Sequence, residues 1–187
     1  MTNLPEATDL NRVRALFHEA QKKDIAYPTD PDQQVSVDRH ARILVGAPST
    51  PTNDKSRVQH GTWAASRLER DQETARRKLP PTTKFLNDAD LKGWAYSINT
   101  EMSGREFVMF AYFDGSNYQV KLISPEVEGK YNPHNAHLYR DGRLCLSESA
   151  GSGQPTLEEA YSKSVLWANG MDVLMAGWAF PFSINNV

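Results

Sequence analysis

The most strand-like part of the chain is residues 93–123, with the sequence GWAYSINTEMSGREFVMFAYFDGSNYQVKLI. It is rich in aromatic and β-branched residues in short runs, which is typical of β-strands. The runs predict three strands, at 93–99, 106–112 and 118–123. The segment DGSN at 114–117 has the residues of a tight turn, so the last two strands should form an antiparallel hairpin. The stretch therefore predicts an antiparallel meander sheet.

Helical patterns lie on both sides of this sheet in the sequence. Before it, residues 63–79 have helical spacing, and Pro80-Pro81 should end that helix because proline cannot continue one. After it, Thr156 and Glu159 form a capping-box pattern, so a helix should begin there. Gly170 is expected to break that helix, and a second, apolar C-terminal helix is expected at 171–178. Four large apolar residues there are expected in the core: Trp167, Met171, Met175 and Trp178.

The order of helix, meander, long loop and C-terminal helices predicts an α+β domain with the helices on one side of the sheet. Apolar residues at helical spacing also predict an N-terminal helix, with an N-cap at Thr8 or Asp9, within the first 27 residues. Residues 35–45 should be an edge strand or irregular, and 47–61 have the composition of a linker. We therefore expect an N-terminal extension at 1–61 and one domain at 62–187.

Composition excludes several classes of function. The chain has 187 residues, a net charge of −2 and one cysteine, which fits one globular domain without overall attraction to nucleic acid or membrane. No apolar stretch resembles a signal peptide or a membrane span, so a cytoplasmic location is expected. Cys145 has only His134 and His137 near it in sequence, which are too few ligands for a structural zinc site. No metal or cofactor is expected.

The only cysteine lies in the segment 135–146, NAHLYRDGRLCL, within an irregular stretch at 124–153. This segment resembles the active-site flap of ubiquitin-conjugating enzymes, in which His-Pro-Asn is followed by a short spacer, Asp-Gly, two residues and Cys-Leu. Asp141, Gly142 and Cys145 stand at the matching positions, followed by the expected leucine. The tripeptide differs, because Asn135 and His137 stand where that family has His and Asn. The usual proline-rich turn and the Trp-x-Pro of the family are absent.

The resemblance implies a ubiquitin-conjugating (UBC-like) fold over about residues 62–180 and an acyl-carrier function. Cys145 would receive a protein tail as a thioester from an activating (E1-like) enzyme and pass it to an acceptor protein. The resemblance assigns the site to four residues: Cys145, His137, Asn135 and Asp141. His137 inherits the position that stabilises an oxyanion or holds the loop, and an imidazole can donate a hydrogen bond or accept a proton there. Asn135 is expected to shape the loop.

The altered tripeptide, the extension and the missing proline turn resemble bacterial members of the family, such as those found beside antiviral nucleotidyltransferases. The carried chain would then be a ubiquitin-like modifier or the C-terminus of the nucleotidyltransferase itself. In the resembling family the first helix contacts the activating enzyme. Four arginines of the helix at 63–79 are therefore candidates for partner binding, although a solvated helix face explains them too: Arg67, Arg70, Arg76 and Arg77.

Two other functions stay open on sequence alone. A UBC-fold binding module without activity would keep the fold and tolerate replacement of Cys145 by serine. A cysteine hydrolase would use Cys145 with His137 or His134 and would turn over substrate without an activating enzyme. A lone cysteine in a cytosolic protein is also commonly a small buried apolar residue.

Overall fold

The structure is a computed structural model that describes residues 10–22, 35–37, 43–45, 63–88, 91–147, 149 and 151–181. In this part of the chain the helices are α1 (Leu10–Lys22), α2 (Trp63–Lys78) and α3 (Leu157–Met175). The strands are β1 (Val35–Val37), β2 (Ile43–Val45), β3 (Lys84–Asp88), β4 (Leu91–Asn99), β5 (Glu106–Phe113) and β6 (Tyr118–Ser124). None of these helices combines the length and the apolar character that crossing a membrane requires. The expected N-cap at Thr8 or Asp9 and the linker at 47–61 lie outside the described residues.

The main sheet is an antiparallel meander in the order β3-β4-β5-β6, which confirms the α+β class and the predicted meander. Its first strand, β3, was not predicted, because KFLND has only two apolar residues and is too short to show a period. The predicted turn at 114–117 is present, and the Asp114 carboxylate accepts hydrogen bonds from the backbone N–H groups of Ser116 and Asn117. Within residues 35–45, β1 and β2 pair as a separate two-stranded sheet.

Helices cover both faces of the main sheet, so the expectation of helices on one side is wrong. On one face, Trp94, Tyr96 and Met109 pack with residues of α2 and α3. On the other face, Ala95, Val108 and Phe110 pack against Val13 and Phe17 of α1. The physical reason lies in β5, in which five successive residues are buried, and a strand without alternation is buried on both faces.

The helix α3 is continuous from Leu157 to Met175, so the predicted break at Gly170 and the second helix at 171–178 are wrong. Its start is as predicted, since the Thr156 hydroxyl accepts a hydrogen bond from the Glu159 N–H at 3.2 Å. Gly170 is needed for packing instead, because a Cβ there would lie 2.3 Å from the ring of Phe180. Trp178, expected in the core, lies after the helix and is 71% exposed.

Side chains of α1 fasten it to the sheet and to the loops beyond β6. The Arg14 guanidinium donates to the Ile123 carbonyl at 3.0 Å and to the Glu128 carboxylate at 3.0 Å. Leu10 lies against the Gly142 backbone, where an added Cβ would be 3.1 Å from the leucine methyl. The helix therefore contacts the segment that leads to Cys145.

Candidate active site around Cys145

The segment before Cys145 is fixed by hydrogen bonds to the edge strand β6. The Leu144 N–H donates to the Val120 carbonyl at 2.9 Å, and the Leu122 N–H donates to the Gly142 carbonyl at 3.1 Å. Residues 142–144 thus extend the sheet by a short piece of chain. Because strands give the loops that they hold a rigid scaffold, this pairing gives Cys145 a defined position.

A tight turn at 139–143 leads into this segment and explains the Asp-Gly pair of the motif. The Tyr139 N–H donates to the Arg143 carbonyl at 2.7 Å, and the Gly142 N–H donates to the Tyr139 carbonyl at 3.0 Å. Gly142 has a φ of 79°, a left-handed conformation that glycine adopts without strain. The Asp141 carboxylate accepts from the Arg143 N–H at 3.1 Å and from its guanidinium at 2.7 Å. Asp141 therefore shapes the turn.

The backbone of His137 is fixed by two hydrogen bonds that its carbonyl accepts. The Cys145 N–H donates to it at 2.9 Å, and the Trp167 indole N–H donates to it at 3.1 Å. The same indole also donates to the Ala136 carbonyl at 2.9 Å. Trp167, which the sequence placed only in the core, therefore ties α3 to the loop that carries the candidate site.

The imidazole of His137 is half-buried and packs against Phe180, with 4.8 Å between the ring centroids. Burial lowers the pKa of His137, and the nearby His134 lowers it further. The imidazole is therefore neutral near pH 7, since even its ordinary pKa of 6.5 lies below that pH. A neutral imidazole can accept a proton or donate one hydrogen bond.

Cys145 is one of the residues that line an open cleft with a volume of 320 Å³. The thiol is partly buried, and the Tyr139 hydroxyl donates a hydrogen bond to its Sγ at 3.4 Å. Seven residues line the cleft: Pro133, His134, His137, Leu138, Tyr139, Arg140 and Cys145. The structure thus places Cys145 and His137 in the lining of one cleft and adds Tyr139, which sequence reasoning missed.

Asn135 and Asp141 are not among the residues that line this cleft. Asn135 is exposed, and its backbone N–H donates to the Asn132 side-chain carbonyl at 3.4 Å. That Asn132 carbonyl also accepts from the His134 N–H at 3.0 Å. The asparagine side chain that shapes this loop is therefore that of Asn132, a role that the sequence had assigned to Asn135.

None of the four arginines of α2 is among the residues that line the cleft. The Arg67 guanidinium stacks over the Phe113 ring at 3.6 Å from its centroid. Arg76 forms a bidentate ion pair with Glu73 at 2.9 Å, and Arg77 pairs with the same carboxylate. Arg70 is exposed. Arg67 thus has a packing role, whereas the other three remain on an exposed helix face.

The residues that line this cleft include a cysteine, a histidine and a tyrosine, and the tyrosine hydroxyl contacts the thiol. Within the described ranges, no group of three or more His, Cys, Asp or Glu side chains is arranged to hold a metal ion. The chain matches no protein-family model, no curated protein and no solved structure. Its function therefore has to be inferred from this cleft and from the fold that holds it.

Proposed function

We propose that this protein is an E2-like conjugating enzyme that carries an acyl group as a thioester on Cys145 and transfers it to an acceptor. The observation that carries the proposal is the position of the only cysteine. Cys145 and His137 line the same open cleft, and Cys145 follows the Asp141-Gly142 turn that the resemblance to the conjugating-enzyme flap pointed to. The UBC-like fold is part of the proposal, supported by the order of helix, four-stranded meander, cysteine loop and helix.

Loading requires only a nucleophilic thiol that a large donor can reach. The Cys145 thiolate attacks the carbonyl carbon of the donor thioester, so that a new C–S bond forms while the donor C–S bond breaks. The donor sulfur leaves as a thiolate. Because the incoming acyl group is already activated, this exchange needs no strong base beside the cysteine. An open cleft at the sheet edge suits such a step better than a closed pocket would.

Discharge requires a group that handles the proton of the attacking amine or the charge on the oxyanion. His137 lines the same cleft as Cys145, and burial keeps its pKa below the ordinary value. The neutral imidazole can therefore accept the ammonium proton when the C–N bond forms and the C–S bond breaks. Alternatively its N–H can donate to the oxyanion, which is the role that the resembling family gives to this position.

The partners in this proposal are an activating enzyme, a carried tail and an acceptor protein. The carried tail is a ubiquitin-like modifier or the C-terminus of a nucleotidyltransferase, in a bacterial antiviral setting. For the activating enzyme we propose the exposed face of α2. Arg70 is exposed there, and Arg76 and Arg77 share the Glu73 carboxylate. A face with more positive than negative groups suits an acidic partner surface.

The test is to incubate the chain with a candidate activating enzyme, its modifier and ATP, then analyse the products on a non-reducing gel and by mass spectrometry. We expect an adduct on Cys145 that thiol reductants remove. Cys145→Ala should give no adduct, and Cys145→Ser should give an ester that survives reductant, because an oxyester resists thiols. Lys22→Ala, a change on the exposed side of α1, is the matched control and should load normally.

The same assay separates the two rival functions. A cysteine hydrolase would cleave a C-terminally extended modifier without ATP or activating enzyme, and both Cys145→Ala and His137→Asn would stop this cleavage. A binding module would bind its partner equally well after Cys145→Ser and would form no adduct. Either result would overturn the carrier proposal.

A further inference from the structure

The hydroxyl of Tyr139 lies between a backbone donor and the candidate nucleophile. The Gly151 N–H donates to the Tyr139 Oη at 2.7 Å, and the Tyr139 hydroxyl donates to the Cys145 Sγ at 3.4 Å. A phenol has one proton to donate, and here the oxygen already serves as an acceptor for Gly151. These two hydrogen bonds run from the loop after Cys145, through the phenol, to the sulfur. The thiol in turn donates only a long contact, to the Ser147 carbonyl at 4.0 Å.

Such a chain of donors favours the charged form of the sulfur over the neutral form. A neutral thiol is a weak acceptor and gains little from a hydroxyl at this distance. A thiolate gains a charge-assisted hydrogen bond, which is about twice as strong as a neutral one. The Gly151 N–H adds to the effect, because a phenol whose oxygen accepts a hydrogen bond is itself a stronger hydrogen-bond donor. The arrangement thus stabilises negative charge on Sγ.

The phenol keeps its proton at any pH at which the enzyme would work. Burial raises the pKa of Tyr139, and the hydrogen bond with Cys145 raises it further. Arg143, 5.2 Å from the ring centroid, acts in the opposite direction without reversing the shift. The other charged or titratable residues that line the cleft are His134, His137 and Arg140.

We propose that Tyr139 is a catalytic residue whose hydroxyl stabilises the Cys145 thiolate, both as the nucleophile and as the leaving group. This role rests on the proposed carrier function. In loading, the hydroxyl holds the thiolate until the C–S bond to the incoming acyl group forms. In discharge, the amine forms the C–N bond, the C–S bond breaks, and its electron pair returns to the Sγ beside the hydroxyl. The amine proton passes to the His137 imidazole or to water.

The experiment measures the reactivity of the Cys145 thiol in the 187-residue chain without any partner. The rate of alkylation by iodoacetamide is followed from pH 5.5 to 9.5 in the unchanged chain and in Tyr139→Phe. We expect the variant to react about five- to tenfold more slowly at pH 7, with its rate curve displaced to higher pH, because a charge-assisted hydrogen bond is lost. Tyr131→Phe makes the same chemical change outside the cleft and should react as the unchanged chain does.

A second variant tests the direction of the effect without removing the ring. Replacement of Tyr139 by 3-fluorotyrosine makes the phenol a stronger donor in nearly the same volume. It should move the alkylation curve to lower pH, opposite to Tyr139→Phe. Superimposable curves for the unchanged chain and both Tyr139 variants would overturn the proposal, since a tyrosine that only packs would not respond to donor strength.

The result is distinguishable from a failure of the carrier function. If the alkylation curves move as expected but no partner loads Cys145, the phenol stabilises the thiolate and the carrier proposal fails. If Cys145 is loaded but the curves coincide, the carrier proposal stands and the role of Tyr139 is wrong. With a loaded carrier, Tyr139→Phe should also slow discharge to free lysine by about tenfold, because the departing thiolate loses the same bond.

Discussion

His137 has a backbone conformation that few side chains tolerate. Its φ is 48°, in the left-handed region, where a Cβ crowds the following carbonyl oxygen. The conformation turns its carbonyl toward two donors, the Cys145 N–H and the Trp167 indole. The loop therefore constrains the φ angle of this residue, and the cleft constrains which side chain it carries. Substitutions can separate these two requirements.

We predict that His137→Val lowers the free energy of unfolding more than His137→Asn does. Asparagine enters the left-handed region readily, whereas a β-branched residue pays about 1–2 kcal/mol or more there. In urea denaturation, His137→Asn should change the free energy of unfolding by less than about 1 kcal/mol. Equal losses for the two variants would show that φ is not the limiting factor at this position.

We also predict that His137 makes the protein less stable as the pH falls below neutrality. Burial, and then the charge of His134, lowers the pKa of His137 in the folded chain. Above the ordinary value of 6.5 both states are neutral and the group has no effect. Below it, the unfolded chain binds the proton more readily, so the free energy of unfolding falls as the pH decreases.

The measurement is urea denaturation between pH 7.5 and 5, and His137→Asn should show the shallower dependence. Burial raises the pKa of Asp71, but that group titrates in both chains and cancels in the comparison. Burial by itself would raise the pKa of Asp172, but hydrogen bonds from Thr100 and Ser103 have the larger combined effect. The pKa of Asp172 is therefore lowered. The stability that Asp172 contributes is lost only below its ordinary value of 3.8, outside this window. Parallel curves for the two chains would contradict the prediction.

At the residue scale, the sequence predicted what spacing can predict. Cys145, Asp141 and His137 were proposed as site residues because they lie within one short motif, and of these Cys145 and His137 line the cleft. Tyr139 and Trp167 were not assigned to the site, because their roles come from contacts with Gly151 and with the 136–137 carbonyls, which only the folded chain brings near them. An aromatic residue inside a cysteine motif is the one signal that could have pointed to Tyr139.

At the scale of elements, Gly170 illustrates why a glycine in a helical pattern has two interpretations. Its conformational freedom suggested a break, whereas its lack of a side chain admits the Phe180 ring against α3. Sequence alone cannot separate these, since the ring comes from a residue beyond the helix. The short strand β3 was missed for a different reason, because its pairing with β4, and not its own pattern, defines it.

We predict that the effect of Gly170→Ala depends on Phe180. In the unchanged chain the new methyl group must displace the Phe180 ring, so the variant should be less stable. In a Phe180→Ala background that clash is gone, and alanine should stabilise α3 by about 0.5–1 kcal/mol through its higher helix propensity. A double-mutant cycle measured by urea denaturation checks this coupling. Additive effects in the two backgrounds would mean that Gly170 does not serve the contact with Phe180.

At the scale of the whole molecule, α1 completes a three-layer arrangement. Val13 and Phe17 close the second face of the sheet, and Arg14 binds the loop beyond β6. The amphipathic pattern predicted the helix, but a pattern shows only that a face is buried, not what it is buried against. The unbroken run of apolar residues FVMFA at 107–111 in β5 was the sequence feature that could have indicated a second layer.

We predict that Phe17→Ala destabilises the whole molecule. Phe17 is 5% exposed, and removing a buried phenylalanine ring costs about 3–5 kcal/mol. The loss should appear in urea denaturation as a lower midpoint of one cooperative transition, since the ring is part of the sheet core. Lys22→Ala on the same helix is the control and should change stability by less than about 0.5 kcal/mol. A loss below 1 kcal/mol for Phe17→Ala would mean that α1 packs only loosely.

The position of α1 also sets an order of events during synthesis. The helix leaves the ribosome before any strand of the sheet, while Val108, Phe110 and Ile123 follow much later. A helix of 13 residues has only marginal stability on its own in water, so α1 does not stay folded before the sheet has formed. The nascent chain therefore carries an uncovered apolar segment until β6 has emerged. During that interval this segment is where a chaperone would bind and where misassembly between nascent chains would begin.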